Sequence, residues 1–397
     1  MKIVQVNKYS DFLALKGTWQ DILQRCNSHT IFSTWEWLST WWKHFGNDKK
    51  LLVLLVKENK EVIGIAPLMY SVHKMFGLRM GKIEFIGTPH ADYNDILLTE
   101  KSEECLKLLT DYLWELPDNW KRSDLAGIPQ NSRSLPFLGK LSWKSISVLK
   151  CPYIPLPRSY EAFLVSNLKR NQRKYVYRNM RNLERDFKVE IVDCSDVQSS
   201  TEGMHRLFEL HQKRWESRGY SGAFAEEKFR NFHLDIAKSF SQKKWLGLHL
   251  LNASGVTVSA NYGFKYQSRF YSYLTGFDPR YTKYGVGNLL HAYSIQRFID
   301  EGLTEYDFMR GAEEYKARWN TLARLNSRAV LIRKGVAASI EYRLYEEYWN
   351  QGNWLKYFLG IPCERVSSLF ARLNARAETE KKNETQIADH TKRRGSF

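Results

Sequence analysis

The sequence is short of the residues that metal and covalent chemistries need. Its five cysteines (Cys26, Cys105, Cys151, Cys194 and Cys363) are scattered and odd in number. None stand at the close spacing of a zinc ligand pair or a disulfide framework, which argues against both and fits a reducing compartment. The ten histidines contain no HExxH spacing, and His205 and His211 do not share a helical face as paired ligands would, so no metal is expected. No GxSxG elbow presents a serine nucleophile, and no Walker lysine follows a glycine pair. The opening MKIVQVNKYSDF lacks the apolar core of a signal peptide. No stretch approaches about 18 uninterrupted apolar residues, the length of a membrane span. Acidic residues are also scarce. Against 43 Asp and Glu stand 60 Lys and Arg, a formal charge of +17, which favours phosphorylated ligands, nucleic acid or acidic lipid as partners. The chain reads as soluble and cytoplasmic, with peripheral attachment to the inner membrane as an open alternative.

What is present is core-forming material: 43% hydrophobic residues, with 13 Trp, 22 Tyr and 21 Phe in 397 residues. That is too long for one ordinary core and suggests two domains. Alternation and turn signals predict strands at Lys2–Val6, Leu51–Val56, Val62–Tyr70, Lys82–Ile86, Asp95–Leu98, Ser123–Ile128 and Ser145–Ile154. Helices are predicted over Asp11–Leu23, Ser33–Phe45 (with Ser33 as N-cap) and Glu103–Leu116. The order then recurs as strands at Trp245–Leu251, Val256–Tyr266 and Arg269–Thr275, a helix at Leu289–Ile299, and strands at Glu305–Met309 and Ala329–Arg333. Matching elements lie about 180–195 residues apart, a repeat of pattern rather than of residues. The predicted fold class is α/β (α+β): tandem domains, each a mixed central sheet flanked by helices. The expected division is 1–157, 158–335, a helical extension over 336–373 and a disordered tail over 374–397. The first boundary lies in CPYIPLP, whose prolines resist regular structure.

Between the halves, Tyr160–Lys188 reads as a basic helix. At 100° per residue, Arg170, Lys174, Arg178, Arg181, Arg185 and Lys188 fall in one stripe roughly 80° wide. Like charges at this spacing repel by roughly 0.3 kcal/mol per pair, so the stripe calls for an anion. A plain solvated face is the alternative.

The stretch Phe270–Asn320 carries the chemistry. Gly285, Val286, Gly287 and Asn288 form a loop that opens a helix, where glycine allows close approach and the first amides offer an anion site. With Tyr273 on the preceding strand they are the candidates for holding a phosphorylated carrier. After the next strand come Asp307, Arg310, Glu313, Glu314, Tyr315 and Lys316. Such groups suit transfer of an activated acyl group to an amine, which needs a base and an oxyanion donor. Glu313 or Glu314 would be the base or hold the amine. Lys316 or Arg310 would bind phosphate or the oxyanion, and Tyr315, Tyr271 or Tyr273 would be the general acid. The competing reading is a salt-bridge network joining strand to helix. His291, one turn into the helix, reads as structural.

These residues resemble a known family. FSTWEWLSTWW, GTPHADYNDIL, DFMRGAEEYKARWN and the basic NLKRNQRKYVYRNMRNLE are similar to the GNAT acyltransferase superfamily. The match is to its bacterial branch with two GNAT-like halves: the CelD-type acetyltransferases of polysaccharide biosynthesis, relatives of the FemABX peptidoglycan aminoacyltransferases. The resemblance implies two α/β halves, acyl-CoA or aminoacyl-tRNA as donor, and an amine on a sugar or cell-envelope precursor as acceptor. It places a pyrophosphate on Gly285, Gly287 and Asn288, and departs from the usual loop at Thr282, where Gln or Arg is more common. It sets Tyr93 and Asp95 opposite Asp307–Lys316 across a cleft between the halves. Arg170, Lys174, Arg178, Arg181 and Arg310 are then candidates for an anionic or lipid-linked sugar substrate. No GxG loop precedes Glu103–Leu116, so the first half is expected to be non-catalytic. The resulting expectation is an acetyl-CoA-dependent N-acyltransferase. The alternatives are a tRNA-dependent aminoacyltransferase and a non-enzymatic basic adaptor at the membrane surface.

Overall fold

The computed structural model describes residues 1–333, except 27, 76–77, 118–119, 142 and 312, with isolated positions beyond. The extension and tail expected over 336–373 and 374–397 fall outside the described residues apart from those isolated positions. The chain groups into two compact units, Met1–Val72 with Gly81–Arg333, and His73–Met80 with Lys334–Phe397. The first contains both halves of the fold.

In chain order, the first half contains β1 (Lys2–Val6), α1 (Tyr9–Ala14), α2 (Lys16–Arg25), α3 (Trp35–Phe45), β2 (Lys50–Glu58), β3 (Glu61–Met75), β4 (Leu78–Phe85), β5 (Leu97–Leu98), α4 (Ser102–Glu115), β6 (Arg122–Pro129), α5 (Leu135–Leu138) and β7 (Lys144–Pro155). The second contains α6 (Tyr160–Asn167), α7 (Arg170–Asp186), β8 (Val189–Asp193), α8 (Ser200–Glu216), α9 (Glu227–Gln242), β9 (Leu246–Ala253), β10 (Val256–Tyr266), β11 (Arg269–Phe277), α10 (Val286–Asp300), β12 (Glu305–Asp307), α11 (Glu314–Ala317) and β13 (Leu322–Ile332). Ser33 does not cap α3. Its neighbour Thr34 does, its hydroxyl oxygen accepting the Trp37 amide at 3.3 Å, while Ser33 belongs to the preceding turn. The segment read as one helix over Tyr160–Lys188 divides at Leu168–Lys169, where the backbone becomes extended.

The strands form one mixed sheet in the order β1-β2-β3-β4-β6-β13-β7-β12-β11-β10-β9-β8, with β5 attached to β3. β2 shows how it is covered. Leu51, Val53 and Leu55 join Phe12 of α1, the tryptophans of α2 and α3, and the aromatics of α8 and α9. The alternate residues Leu52, Leu54 and Val56 join α4, as the two-residue strand period requires. Trp37, fully buried, meets Phe232 of the other half edge to face at 5.0 Å, so the tryptophans are packing groups that weld the halves together.

The closing strands are exchanged. β13, from the end of the second half, lies between β6 and β7, and β7, from the end of the first, pairs with β12. The sequence reading expected each half to be closed by its own last strand. Buried ion pairs account for the exchange. Arg328 of β13 grips Asp124 of β6 at 2.6 and 2.9 Å, and Arg324 reaches Glu305 and Asp307 of β12. The same arginines explain why β13 begins seven residues before the predicted Ala329. Leu322–Arg328 looks polar in sequence, but its charges are neutralised by buried partners.

Candidate active site at the parting of two parallel strands

β11 and β12 run parallel for three paired residues, Arg269–Glu305, Phe270–Tyr306 and Tyr271–Asp307. β11 then continues to Phe277 bonded to β10, while β12 ends. A wedge opens between them, and the N-terminus of α10 stands at its mouth. Ligands of open α/β sheets gather at this kind of strand-end crevice.

Gly285 makes the mouth possible. It sits in the left-handed region at φ 63°. A Cβ there would lie 2.5 Å from the Tyr175 hydroxyl and 2.8 Å from Asn179 Nδ2, so α7 closes directly onto the loop. At Gly287 a Cβ would meet only ordinary contact, Phe277 at 3.5 Å. The first α-helical bond of α10 runs from the Leu289 amide to the Gly285 carbonyl at 3.1 Å. The amides of Val286, Gly287 and Asn288 are thereby left for a ligand, at the positive end of a 15-residue helix.

The cleft encloses about 430 Å³ and is lined by these loop residues together with Thr275, Phe277, His291, Glu313, Glu314, Tyr315, Arg214, Arg218 and Arg318. Through Tyr175 it adjoins a groove along α7 bordered by Lys174, Arg178 and Arg181. Through Tyr175, Asn288 and Arg318 it adjoins a smaller apolar slot containing Leu168, Val176 and Trp319. Lys174, Arg178, Arg181 and Arg170 are all exposed, and the structure gives them no carboxylate partner among the described residues.

The predicted site residues divide in two. Gly285, Val286, Gly287, Asn288, Glu313, Glu314 and Tyr315 meet at the cleft. The Tyr315 ring stacks on His291 at 5.5 Å, and burial, with Glu313 nearby, raises its hydroxyl above the usual range. Asp307, Arg310, Lys316, Tyr93, Asp95 and Tyr273 are engaged elsewhere. Asp307 is fully buried and accepts from the Tyr93 hydroxyl at 2.7 Å, the Met309 amide at 2.7 Å and Arg324 at 3.0 Å. Burial pushes its carboxyl up to about 6 against the pull of Arg324 and Tyr93. Arg310 is clamped by Asp92 at 2.9 Å and donates to the Pro89 carbonyl. Lys316, buried, donates to the Arg310 and Met309 carbonyls and pairs with Glu313 at 2.9 Å. It therefore fixes the turn that carries Glu313. Asp95 accepts from Ser132 and Ser134 at 2.7 and 2.8 Å, and burial moves it up to about 7. Tyr273 lies in the aromatic core and donates to the His90 carbonyl at 2.8 Å. The expected open cleft between Tyr93 and Asp307 is a direct hydrogen bond, and the salt-bridge reading describes this group.

Sequence reasoning missed Arg214. Its guanidinium lies 4.8 Å over the Phe277 ring, donates to Thr275 at 3.3 Å, and has a buried Nε with no partner. Burial, followed by Arg218, lowers its pKa. Nothing in KRWESRG separates this arginine from its exposed neighbours. Among the described residues no group of His, Cys, Asp and Glu is arranged to hold a metal ion, and no helix is long and apolar enough to cross a membrane.

A mixed sheet whose parallel pair parts over a helix N-terminus is the architecture of GNAT-type acyltransferase folds, and the chain shares it with solved two-halved GNAT-like proteins. Residues 170–317 match the family described as Acetyltransferase (GNAT) domain, a span that holds α7, the wedge and the charged turn. Among solved structures, the chain is similar to FemX, with 13% identity and a TM-score of 0.60 over 87% of this chain and 99% of that one. It is similar to a tandem GNAT protein from the clavulanic acid biosynthesis pathway, with 9% identity and a TM-score of 0.51 over 84% and 100%. The L-PGS structure from Bacillus licheniformis gives 10% identity and a TM-score of 0.51 over 81% and 94%. At these identities the likeness is one of fold. No curated protein matches the sequence.

Proposed function

We propose that the chain transfers an acyl group from CoA to an amine of an amino sugar or cell-envelope polysaccharide precursor. The observation that carries this reading is the wedge between β11 and β12, with the amides of Val286, Gly287 and Asn288 left free at its mouth. A thioester arm laid into the wedge would bring its phosphates to those amides and its carbonyl toward His291, Tyr315 and the Glu313–Glu314 rim. One of the two glutamates would take the amine's proton, and Arg214 would meet an anionic group of donor or acceptor. The half over 158–335 would catalyse, and that over 1–157 would shape the acceptor side. The enzyme would work in the cytoplasm, beside the membrane where lipid-linked precursors are displayed.

One observation favours aminoacyl-tRNA as the donor instead. The α7 groove offers Lys174, Arg178 and Arg181 without carboxylate partners among the described residues and adjoins the cleft through Tyr175. Backbone phosphates would suit it, and FemX is among the similar folds. Calorimetric titration with acetyl-CoA tests the first reading. Saturable binding that is lost in Gly285→Val supports it, and no binding by the wild-type protein removes it. Filter binding of charged tRNA at two salt concentrations tests the second, since phosphate contacts weaken steeply with salt.

A further inference from the structure

A hydrogen-bonded chain lies buried behind the wedge. It starts at His249, whose Nε2 faces the exposed Asp193 carboxylate at 4.0 Å, an ionic contact longer than a hydrogen bond. His249 Nδ1 is 2.8 Å from Ser294 Oγ. The Asn261 amide nitrogen is 3.0 Å from that hydroxyl and 2.9 Å from the Tyr306 hydroxyl, while its oxygen accepts from Ser272 at 3.1 Å. Tyr306 Oη ends the chain 2.8 Å from His291 Nδ1. His249, Asn261, Ser294, Tyr306 and His291 are all buried.

Donor and acceptor counting sets the protons. The Asp193 carboxylate favours the proton on His249 Nε2, so His249 Nδ1 accepts and Ser294 donates to it. Ser294 then accepts one N–H of Asn261, and the other N–H goes to Tyr306. Having accepted there, Tyr306 has one proton to give, and of its neighbours Ser272 Oγ and His291 Nδ1 the imidazole nitrogen at 2.8 Å is the stronger acceptor. The proton of the His291 ring is therefore on Nε2. No partner holds Nε2 among the described residues, and the ring lines the cleft. Burial, with the Arg214 and Lys316 cations nearby, pushes this imidazole down to about 3, so it stays neutral at physiological pH.

We propose that His291 is a catalytic residue of the acyl transfer, its neutral Nε2–H donating a hydrogen bond to the acyl carbonyl oxygen as that oxygen becomes an oxyanion. Tyr306, Asn261 and Ser294 are positioning residues that fix the tautomer. This role rests on the donor site assigned to the wedge. In the step, the acceptor nitrogen bonds to the carbonyl carbon and the carbonyl π pair moves onto oxygen, facing Nε2–H. The pair returns as the carbon–sulfur bond breaks and the thiolate leaves; with an aminoacyl-tRNA donor the bond is carbon–oxygen and the ribose oxygen leaves. The amine's proton goes to a rim glutamate or to water, and His291 keeps its own. The chemistry is that of a preorganised donor, for which removal typically costs 10²–10³-fold in kcat.

Two measurements on the full chain test it. Nitrogen NMR of ¹⁵N-histidine-labelled protein, with His291 identified by its loss in His291→Gln, is expected to report protonated Nε2 and bare Nδ1 from pH 5 to 8. Tyr306→Phe should convert this to a mixture of tautomers. In transfer assays with acetyl-CoA or charged tRNA as donor and a panel of amino sugars as acceptors, His291→Ala should lower kcat roughly 100-fold. KM for the donor should move no more than about twofold, as expected for a contact made only in the transition state. His291→Gln, which retains an N–H near the Nε2 position, should recover part of the loss. A wild-type ring protonated on Nδ1 overturns the proposal, as does full turnover by His291→Ala. Absence of transfer by the wild-type protein with both donors refutes the acyltransferase reading and this role with it; turnover that survives His291→Ala refutes this role alone.

Discussion

Two regions of the molecule carry similar residues and do different things. At the junction of the halves, Asp307, Arg310 and Lys316 are joined to Tyr93, Asp92, Arg324 and backbone carbonyls. At the wedge a few residues away, among the described residues, Arg214 keeps a buried Nε without a partner, the amides of Val286–Asn288 are free, and Glu314 forms no ion pair. Both regions are charged, and both sit at the ends of β11 and β12. The difference is satisfaction: a charge already paired and buried holds the fold together, while one left unmatched beside open space is available to a ligand.

This contrast can be broken at the junction first. Arg324→Met would strand the buried Asp307 and leave the half-buried Glu305 with Arg269, and stability to urea should fall by about 3 kcal/mol. Acetyl-CoA affinity of the protein that remains folded should change little. A large loss of affinity with unchanged stability would turn the assignment round. At the wedge, Gly285→Ala combines a left-handed backbone with a close approach to Tyr175. It should cost about 1–2 kcal/mol of stability and weaken acetyl-CoA binding about tenfold or more in calorimetry. Arg214→Met removes a partly buried cation with no carboxylate partner among the described residues, so stability should hold or rise slightly, while turnover falls. A drop in stability comparable to that of Arg324→Met would mark Arg214 as structural.

Acid unfolding sharpens the same comparison. Burial lowers His211 and His249 to about 4 and His291 to about 3, and takes His233 well below its usual value. Their neutral forms stabilise the fold fully above about pH 6.5, the unfolded value, and that stability is lost as pH falls toward 4. Asp307 and Asp95, raised to about 6 and about 7, act in the opposite sense, favouring the folded state as pH falls through those values. His90, lowered to about 3, and His29, also lowered by burial, act the same way as the other histidines, so six histidines against two carboxyls give a net loss on acidification, read as a falling Tm from pH 7 to 5. Asp307→Asn should steepen that slope, and His291→Gln should flatten it. The smallest effect belongs to the exposed face of α7. Replacing Lys174, Arg178 and Arg181 by alanine should leave stability within about 0.5 kcal/mol and reduce the salt dependence of any tRNA binding.

Much of the fold was legible because it is written in local periodicity. Lys2–Val6 and Val256–Tyr266 match their predicted bounds, and the glycine loop announced the start of α10. The exchange of β7 and β13 was not legible, since strand partners are chosen by distant side chains such as Arg328 and Asp124. At the site, Glu313, Glu314 and Gly285 could be read from spacing. Lys316 and Asp307 looked equally reactive on paper, and only their buried partners set them apart. Arg214 escaped because it lies on an ordinary helix and only folding leaves its Nε unpartnered among the described residues; His291, read as structural, is seen to line the cleft only once α10 is placed.

The central claim is that the donor binds at the wedge and leaves the junction undisturbed. Hydrogen–deuterium exchange of the full chain with and without acetyl-CoA tests it most directly. Slowed exchange is expected in peptides covering Thr282–Asn288, with no change over Pro89–Asp95. Protection at Pro89–Asp95 with none at Val286–Asn288 would contradict it.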